Sequence, residues 1–125
     1  MTDADFKQKV ADLNGLILRG QTFEALEQFY AEDVEVQEND TPPRTGKAVN
    51  LAQEKQNLDG ITDMTARLLN QAIDCENHVV LSEWLFVFTN KKNQTFRLQE
   101  VSVQQWRNGL VWKEKFYYAK YIQTN

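Results

Sequence analysis

From Thr62 onward the apolar residues stop recurring at three and four and begin to alternate, and this change of period limits the possible folds more than any other feature. Four strand-length runs follow: Thr62 to Asp74, His78 to Thr89, Thr95 to Arg107 and Leu110 to Ile122. They are separated by Glu76 with Asn77, by the polar run Asn90 to Gln94, and by Asn108 with Gly109. Asn-Gly is a strong signal for a two-residue hairpin turn. Long strands joined by loops this short pair as an antiparallel meander, because a parallel return needs a dozen or more residues.

The N-terminal half keeps the helical period. Phe6, Val10, Leu13 and Ile17 share one face of a predicted helix, with Thr2 placed to cap it, acidic residues in its first turn and Gly20 as its stop. Phe23, Leu26 and Phe29 or Tyr30 predict a shorter helix from Thr22, after which Ala31, Glu32 and Asp33 turn the chain. Val34 and Val36 alternate with Glu35 and Gln37 as a short strand, which enters the loop Asn39 to Pro43. Thr45 and Gly46 open a third helix carrying Ala48, Leu51, Ala52 and Leu58, and Gly60 closes it. The expected fold is therefore α+β: three N-terminal helices packed on an antiparallel sheet of one short and four long strands.

A chain of 125 residues with 42% hydrophobic residues suffices for one core, so a single domain over residues 1–125 is expected. Fourteen Lys and Arg against eighteen Asp and Glu, with no basic stripe, argue against nucleic acid as a partner. No apolar run approaches the ~20 residues that cross a bilayer, and the N-terminal stretch lacks a basic segment followed by an apolar one. A cytoplasmic protein without membrane contact is expected. One Cys, Cys75, and one His, His78, leave little from which to build a disulfide, a zinc site or a Ser-His-Asp arrangement, so no metal and no redox cofactor are expected. Cys75 reads as a packing residue and His78 as an exposed turn histidine.

A sheet covered by helices on one face buries that face, so strand parity selects the residues that reach an internal cavity. Counting back from the Asn108-Gly109 turn in strict alternation sets Arg107 opposite Leu110. Gln99, Val101 and Val103 then share a face with Trp112, Glu114, Phe116 and Tyr118. This mixture of apolar walls and a few polar groups is what a small-molecule site uses, and it is assigned to the cavity together with Tyr30. In the run from His78, Leu81, Glu83, Leu85 and Val87 are placed inward. Glu83 and Glu114 each sit in an apolar or aromatic strand, where a buried charge needs a partner or a raised pKa. Gln99, Gln105 and Arg107 are candidate partners. Trp84, Phe86, Phe88, Trp106, Val111 and Tyr117 fall on the opposite face, with Lys113, Lys115 and Glu100 able to lay their stems over the rings. An outer face this aromatic predicts a homodimer joined through Trp84, Phe86, Trp106 and Tyr117.

The element order, with residues 25–46 (ALEQFYAEDVEVQENDTPPRTG) and 101–118 (VSVQQWRNGLVWKEKFYY), resembles the nuclear transport factor 2-like superfamily, which includes ketosteroid isomerases and SnoaL-type polyketide cyclases. Set on the ketosteroid isomerase pattern, Glu38 matches the carboxylate that shuttles a proton at the cavity mouth. The oxyanion-binding tyrosine and protonated aspartate of that pattern fall near Leu13 and Val103, which disfavours steroid isomerisation. The resemblance implies a cystatin-like cone, its antiparallel sheet curved around the three helices, with a pocket for a small, apolar or mixed-polarity metabolite. Metal-free acid/base chemistry of the isomerase, dehydratase or cyclase type would be carried by Glu38 with Glu83 or Glu114, and Tyr30 and Tyr118 would orient the ligand. The competing reading is a non-catalytic dimeric binding or interaction module of the same fold.

Overall fold

The computed structural model describes all 125 residues. Helix α1, Asp3–Leu18, begins where expected, because Thr2 and Asp5 form a reciprocal capping box: the Asp5 N–H donates to Thr2 Oγ1 at 3.1 Å, and the Thr2 N–H donates to Asp5 Oδ2 at 3.0 Å. Its buried face is Phe6, Val10 and Leu13. Helix α2, Thr22–Phe29, runs without a turn into strand β1, Tyr30–Glu38. The segment Ala31 to Asp33, expected as a turn, is strand instead, its pairing irregular between Tyr30 and Glu35. Strand β2, Arg44–Thr45, pairs antiparallel with β1, and helix α3 follows over Lys47–Asp59. Gly46, at φ 103, supplies the bend into α3 that a residue with a Cβ rarely adopts.

The meander is formed by β3 (Ile61–Asp74), β4 (Val79–Asn90), β5 (Thr95–Arg107) and β6 (Leu110–Tyr117), and β7 (Ile122–Gln123) returns to the free edge of β5. The strand order is β2-β1-β6-β5-β4-β3. β1 runs parallel to β6, which its distance along the chain permits, so the sheet is mixed rather than wholly antiparallel. Asn108 and Gly109 turn the last hairpin with φ of 54° and 76°, the two positive values a type I′ turn requires. The helices cover the inner face, and Phe6, Leu13, Phe29, Val34, Val80, Trp106 and Val111 meet there in one core cluster. No helix is long and apolar enough to cross a membrane.

Strict alternation fails in the last hairpin. Arg107 pairs with Leu110 and Trp106 with Val111, but Gln105 pairs with Lys113, so one extra residue, Trp112, is bulged into β6. Beyond the bulge Glu114 stands opposite Gln104, and Phe116 opposite Ser102. The residues of β5 that share the inner face with Glu114 are therefore Leu98, Glu100, Ser102, Gln104 and Trp106, not Gln99, Val101 and Val103. Trp112 turns to the outer face, with the Arg107 guanidinium 4.8 Å and the Lys113 ammonium 4.6 Å from its ring centroid. Trp106 and Val111, expected outside, are core residues, and Trp106 packs edge-on to Phe6 at 5.5 Å. Trp106→Ala should cost about 3–5 kcal/mol in denaturant unfolding, as large core truncations do. Trp112→Ala should cost under about 1 kcal/mol, as expected off the core; equal losses would contradict the bulge.

Candidate active site

Between the helices and the open half of the sheet lies a cavity of about 540 Å³. Its aromatic wall comes from alternate positions of β4, since Trp84, Phe86 and Phe88 all line it, backed by Leu98 and Phe116. The rings of Trp84 and Phe86 stack at 5.8 Å. The parity expected for β4 is thus inverted. Leu81 is 45% exposed on the outer face, and Glu83 lies there too, accepting hydrogen bonds from Asn70 (2.8 Å) and from Gln99 (3.2 Å). Gln99 is a partner of Glu83 as anticipated, but on the solvent side.

The C-terminal segment closes one side of the cavity. After β6 the chain swings out, and Tyr118 and Tyr121 stack at 5.9 Å with nearly parallel rings before β7 rejoins β5 through Phe96 and Arg97. Phe88 meets Tyr121 edge-on at 5.7 Å. The segment is fixed at its start by the Tyr118 N–H donating to Asn39 Oδ1 at 3.1 Å, and at its end by the Thr95 N–H donating to Asn125 Oδ1 at 2.7 Å. Burial, then the charge of Glu38, pushes the Tyr118 hydroxyl up to about 12, so it remains a donor at neutral pH.

Four carboxyl groups line the cavity: Glu38, Glu54, Glu100 and Glu114. Glu114 is buried and fully partnered. It accepts from the Tyr30 hydroxyl, from Ser102 Oγ at 2.8 Å and from Gln104 Nε2 at 2.8 Å, while Gln104 Oε1 accepts from the Trp106 indole at 3.1 Å. Burial raises its pKa and these donors oppose the rise. Burial and the adjacent Glu114 hold Tyr30 well above the usual tyrosine range, so its proton stays in the shared hydrogen bond. Glu38, at the end of β1, accepts from Arg44 Nη1 at 3.0 Å, and Arg44 Nε donates to the buried Asn50 at 3.2 Å. Glu54, on α3, accepts from the Thr22 hydroxyl at 3.1 Å, and burial raises its pKa.

Glu100 differs from the other three. It is only 9% exposed, lines the cavity opposite Trp84 in the β4–β5 register, and its side chain makes no hydrogen bond within the chain. Burial first, and then the charges of Glu114, Glu38 and Glu54, lift it from 4.5 to about 8. Expectation placed it on the outer face; the bulge in β6 and the true parity of β4 bring it inside. Of the other candidates, Glu38, Glu114, Tyr30, Phe116 and Tyr118 reach this cavity, whereas Glu83, Gln99, Val101, Val103 and Trp112 do not. Glu54 and Arg44 also line it without having been foreseen. Cys75 packs against the core and the His78 ring lies 4.9 Å from Phe6, so His78 is less free than a turn position suggests.

A cone of three helices inside a curved sheet, with its cavity between them, is a known arrangement. The fold is that of the nuclear transport factor 2-like proteins. An NTF2-like protein of unknown function from Burkholderia pseudomallei superposes with a TM-score of 0.77 over 95% of this chain and 92% of its own, at 14% identity. A type 2 hexachlorocyclohexane dehydrochlorinase (LinA) gives a TM-score of 0.78 over 99% and 94%, at 14% identity. A LEH-like epoxide hydrolase of Mycobacterium tuberculosis gives 0.74 over 93% and 84%, at 10% identity. No family model and no curated protein matches the chain by sequence. The fold is thus shared with proteins that are only 10–14% identical to this chain.

The raised Glu100 makes stability depend on pH with a definite sign. The folded state binds its proton more tightly than the unfolded chain, so the stabilisation is complete below about 4.5 and is lost as pH rises through about 8. Unfolding midpoints measured across this window should fall with pH in the wild type and fall less steeply in Glu100→Gln, with Glu54 and Glu114 supplying the remaining slope. Identical slopes would show that Glu100 titrates as an ordinary surface carboxyl.

Proposed function

We propose that the cavity binds a small metabolite of mixed polarity and that Glu100 exchanges a proton with it, in a reaction of the isomerase, dehydratase or cyclase type. The observation that carries this reading is the Glu100 carboxyl, which belongs to a largely enclosed residue, has no side-chain partner in the chain and opens onto the aromatic-walled cavity. A structural carboxyl in such a place is ordinarily satisfied, as Glu114 is. Raised to about 8, Glu100 is protonated at neutral pH and can donate to a carbonyl or leaving-group oxygen. Glu38, ion-paired with Arg44 at the end of β1, stands in a wetter environment and serves as proton acceptor. Two carboxyls in contrasting surroundings are how one site holds an acid and a base together.

Two further features support ligand binding over a module filled by its own side chains. The cavity is open and partly apolar, and it contains both Glu38 and Glu114, two of the three carboxylates anticipated there. Two structural neighbours also bear the names of enzymes, a dehydrochlorinase and an epoxide hydrolase. Residues 1–125 are read as one domain around their single core cluster, working in the cytoplasm, where the lone thiol of Cys75 stays reduced. A metabolite library screened by thermal stabilisation should yield ligands, and these should be tested for turnover. Glu100→Gln should lower turnover by about 10²–10⁴-fold, the range of general acid/base groups, and Glu83→Gln should leave it unchanged. Equal turnover in Glu100→Gln would remove the acid; absence of any stabilising ligand would favour the non-catalytic module.

The association surface moves with the corrected parity. Trp84, Phe86 and Trp106 are interior, so they cannot join two copies, and of the four anticipated residues only Tyr117 is on the outer face. We place a homodimer contact instead on Leu81, Val101 and Tyr117, which are 45%, 38% and 47% exposed on adjacent strands. Sedimentation at micromolar concentration should give twice the chain mass, and Val101→Lys should return the monomer. A wild-type monomer there would end the dimer reading.

A further inference from the structure

We propose that the ligand of this cavity is an organic cation, an ammonium group on an apolar body, with its charge set beside Glu100 and its apolar part among Trp84, Phe86 and Phe88. The inference rests on the ligand-binding half of the reading above and narrows its ligand class; beside a cation Glu100 is ionised and serves as counter-ion and proton acceptor, not as the acid. It starts from charge. Glu38, Glu54, Glu100 and Glu114 line the cavity, and Arg44 is the only basic side chain that does so. Arg44 is already engaged by Glu38 at 3.0 Å. Glu114 has three donors and Glu54 has the Thr22 hydroxyl, so the carboxyl left over is Glu100.

The second observation is the wall. Trp84, Phe86, Phe88, Tyr118 and Tyr121 line the same space, and aromatic rings around a carboxyl form the standard receptor for substituted ammonium groups, because ring faces attract a cation without hydrating it. The alternatives fit less well. A neutral hydroxyl or carbonyl would satisfy one hydrogen bond of Glu100 but bring no counter-charge to a cavity lined by four carboxyl groups and one arginine. An anion would be repelled there. A cation would supply the missing counter-charge and favour ionised Glu100, and a volume of about 540 Å³ accommodates one carrying an aromatic or short aliphatic group.

Cation binding also has a proton balance. The titratable and charged groups that line the cavity with Glu100 are Tyr30 and Glu38 from β1, Arg44 from β2, Glu54 from α3, Glu114 from β6, and Tyr118 and Tyr121 from the C-terminal segment. The tyrosines are all shifted upward and stay protonated. A cation favours ionised Glu100, so below about pH 8 binding expels the Glu100 proton to solvent, and affinity rises with pH until that proton is already gone.

The test uses the intact chain and three probes of similar shape: benzyltrimethylammonium, its uncharged carbon isostere neopentylbenzene, and phenylacetate. Tryptophan fluorescence and thermal stabilisation report binding, and titration calorimetry in buffers of different ionisation heat reports proton release. The cation should bind at least about 10-fold more tightly than the isostere, equivalent to about 1.4 kcal/mol, and phenylacetate should not bind. Glu100→Gln should remove most of the cation's advantage and its proton release while leaving isostere binding intact, a result that also shows the variant is folded. Equal binding of cation and isostere, an unchanged cation affinity in Glu100→Gln, or no cation binding at all would each overturn the proposal. Where neutral metabolites from the library still stabilise the protein, only the cation assignment falls; where nothing binds, the small-molecule reading falls with it.

Discussion

The pairing of β5 with β6 decides what this protein presents to its interior. A single bulged residue at Trp112 lets Val111 and Glu114 point to the same side, although three positions apart they would alternate in a regular strand. Val111 thereby completes the core beside Trp106, and Glu114 enters the polar cluster of Tyr30, Ser102 and Gln104. The two halves of the cone interior, one dry and one bearing carboxyls, are both products of that offset. A regular ladder would have put either the apolar residue or the acid in water.

Glu114 and Glu100 show two fates for an acid in the same enclosed space. Three donors surround Glu114, so its burial is compensated locally and it joins β6 to β1 and β5. No side-chain donor of the chain reaches Glu100, whose oxygens face the cavity and whose pKa is raised by its partial burial and the neighbouring carboxyls. The first arrangement makes structure, because removing any member leaves a buried polar group unpaired. The second leaves bonding capacity directed at the cavity, which is the more reactive condition and the one with a cost to stability.

Much of this was legible in the sequence, and the rest failed for one physical reason. The N-cap at Thr2, the helical faces of α1 and α2, the glycines bounding α3, the meander and the Asn108-Gly109 turn follow from local chemistry, and the structure has them. Glu38, Glu114, Phe116, Tyr118 and Tyr30 were placed in the cavity, and they line it. Counting from the turn was right for β6 beyond the bulge but wrong for β5, because a bulge has no obligatory residue type and one extra residue exchanges the faces of everything paired beyond it. Gln99, Val101 and Val103 were misplaced for that reason, and Glu100 and Trp106 were missed. For β4 the signal lay in the other hairpin. Thr89 pairs with Thr95 across a loop bounded by Asn90 and Gln94, which carries Trp84, Phe86 and Phe88 to the same side as Glu100, Leu98 and Phe96. An aromatic face was read as an interface between molecules when it was the lining of a cavity within one.

Strand β7 is only two residues long, yet Tyr118 and Tyr121 hold their place on the cavity through it. Its bonds go to the far end of β5, close to the β4–β5 turn and away from the core around Trp106. Local opening free energies are lowest where few bonds and little apolar contact must be broken, so the amide hydrogens of this segment exchange with solvent through small fluctuations that leave the rest of the sheet closed. The cavity, already open to solvent, is thus bounded on one side by a short, lightly bonded segment, whose fluctuations would change the width of its mouth without disturbing the core.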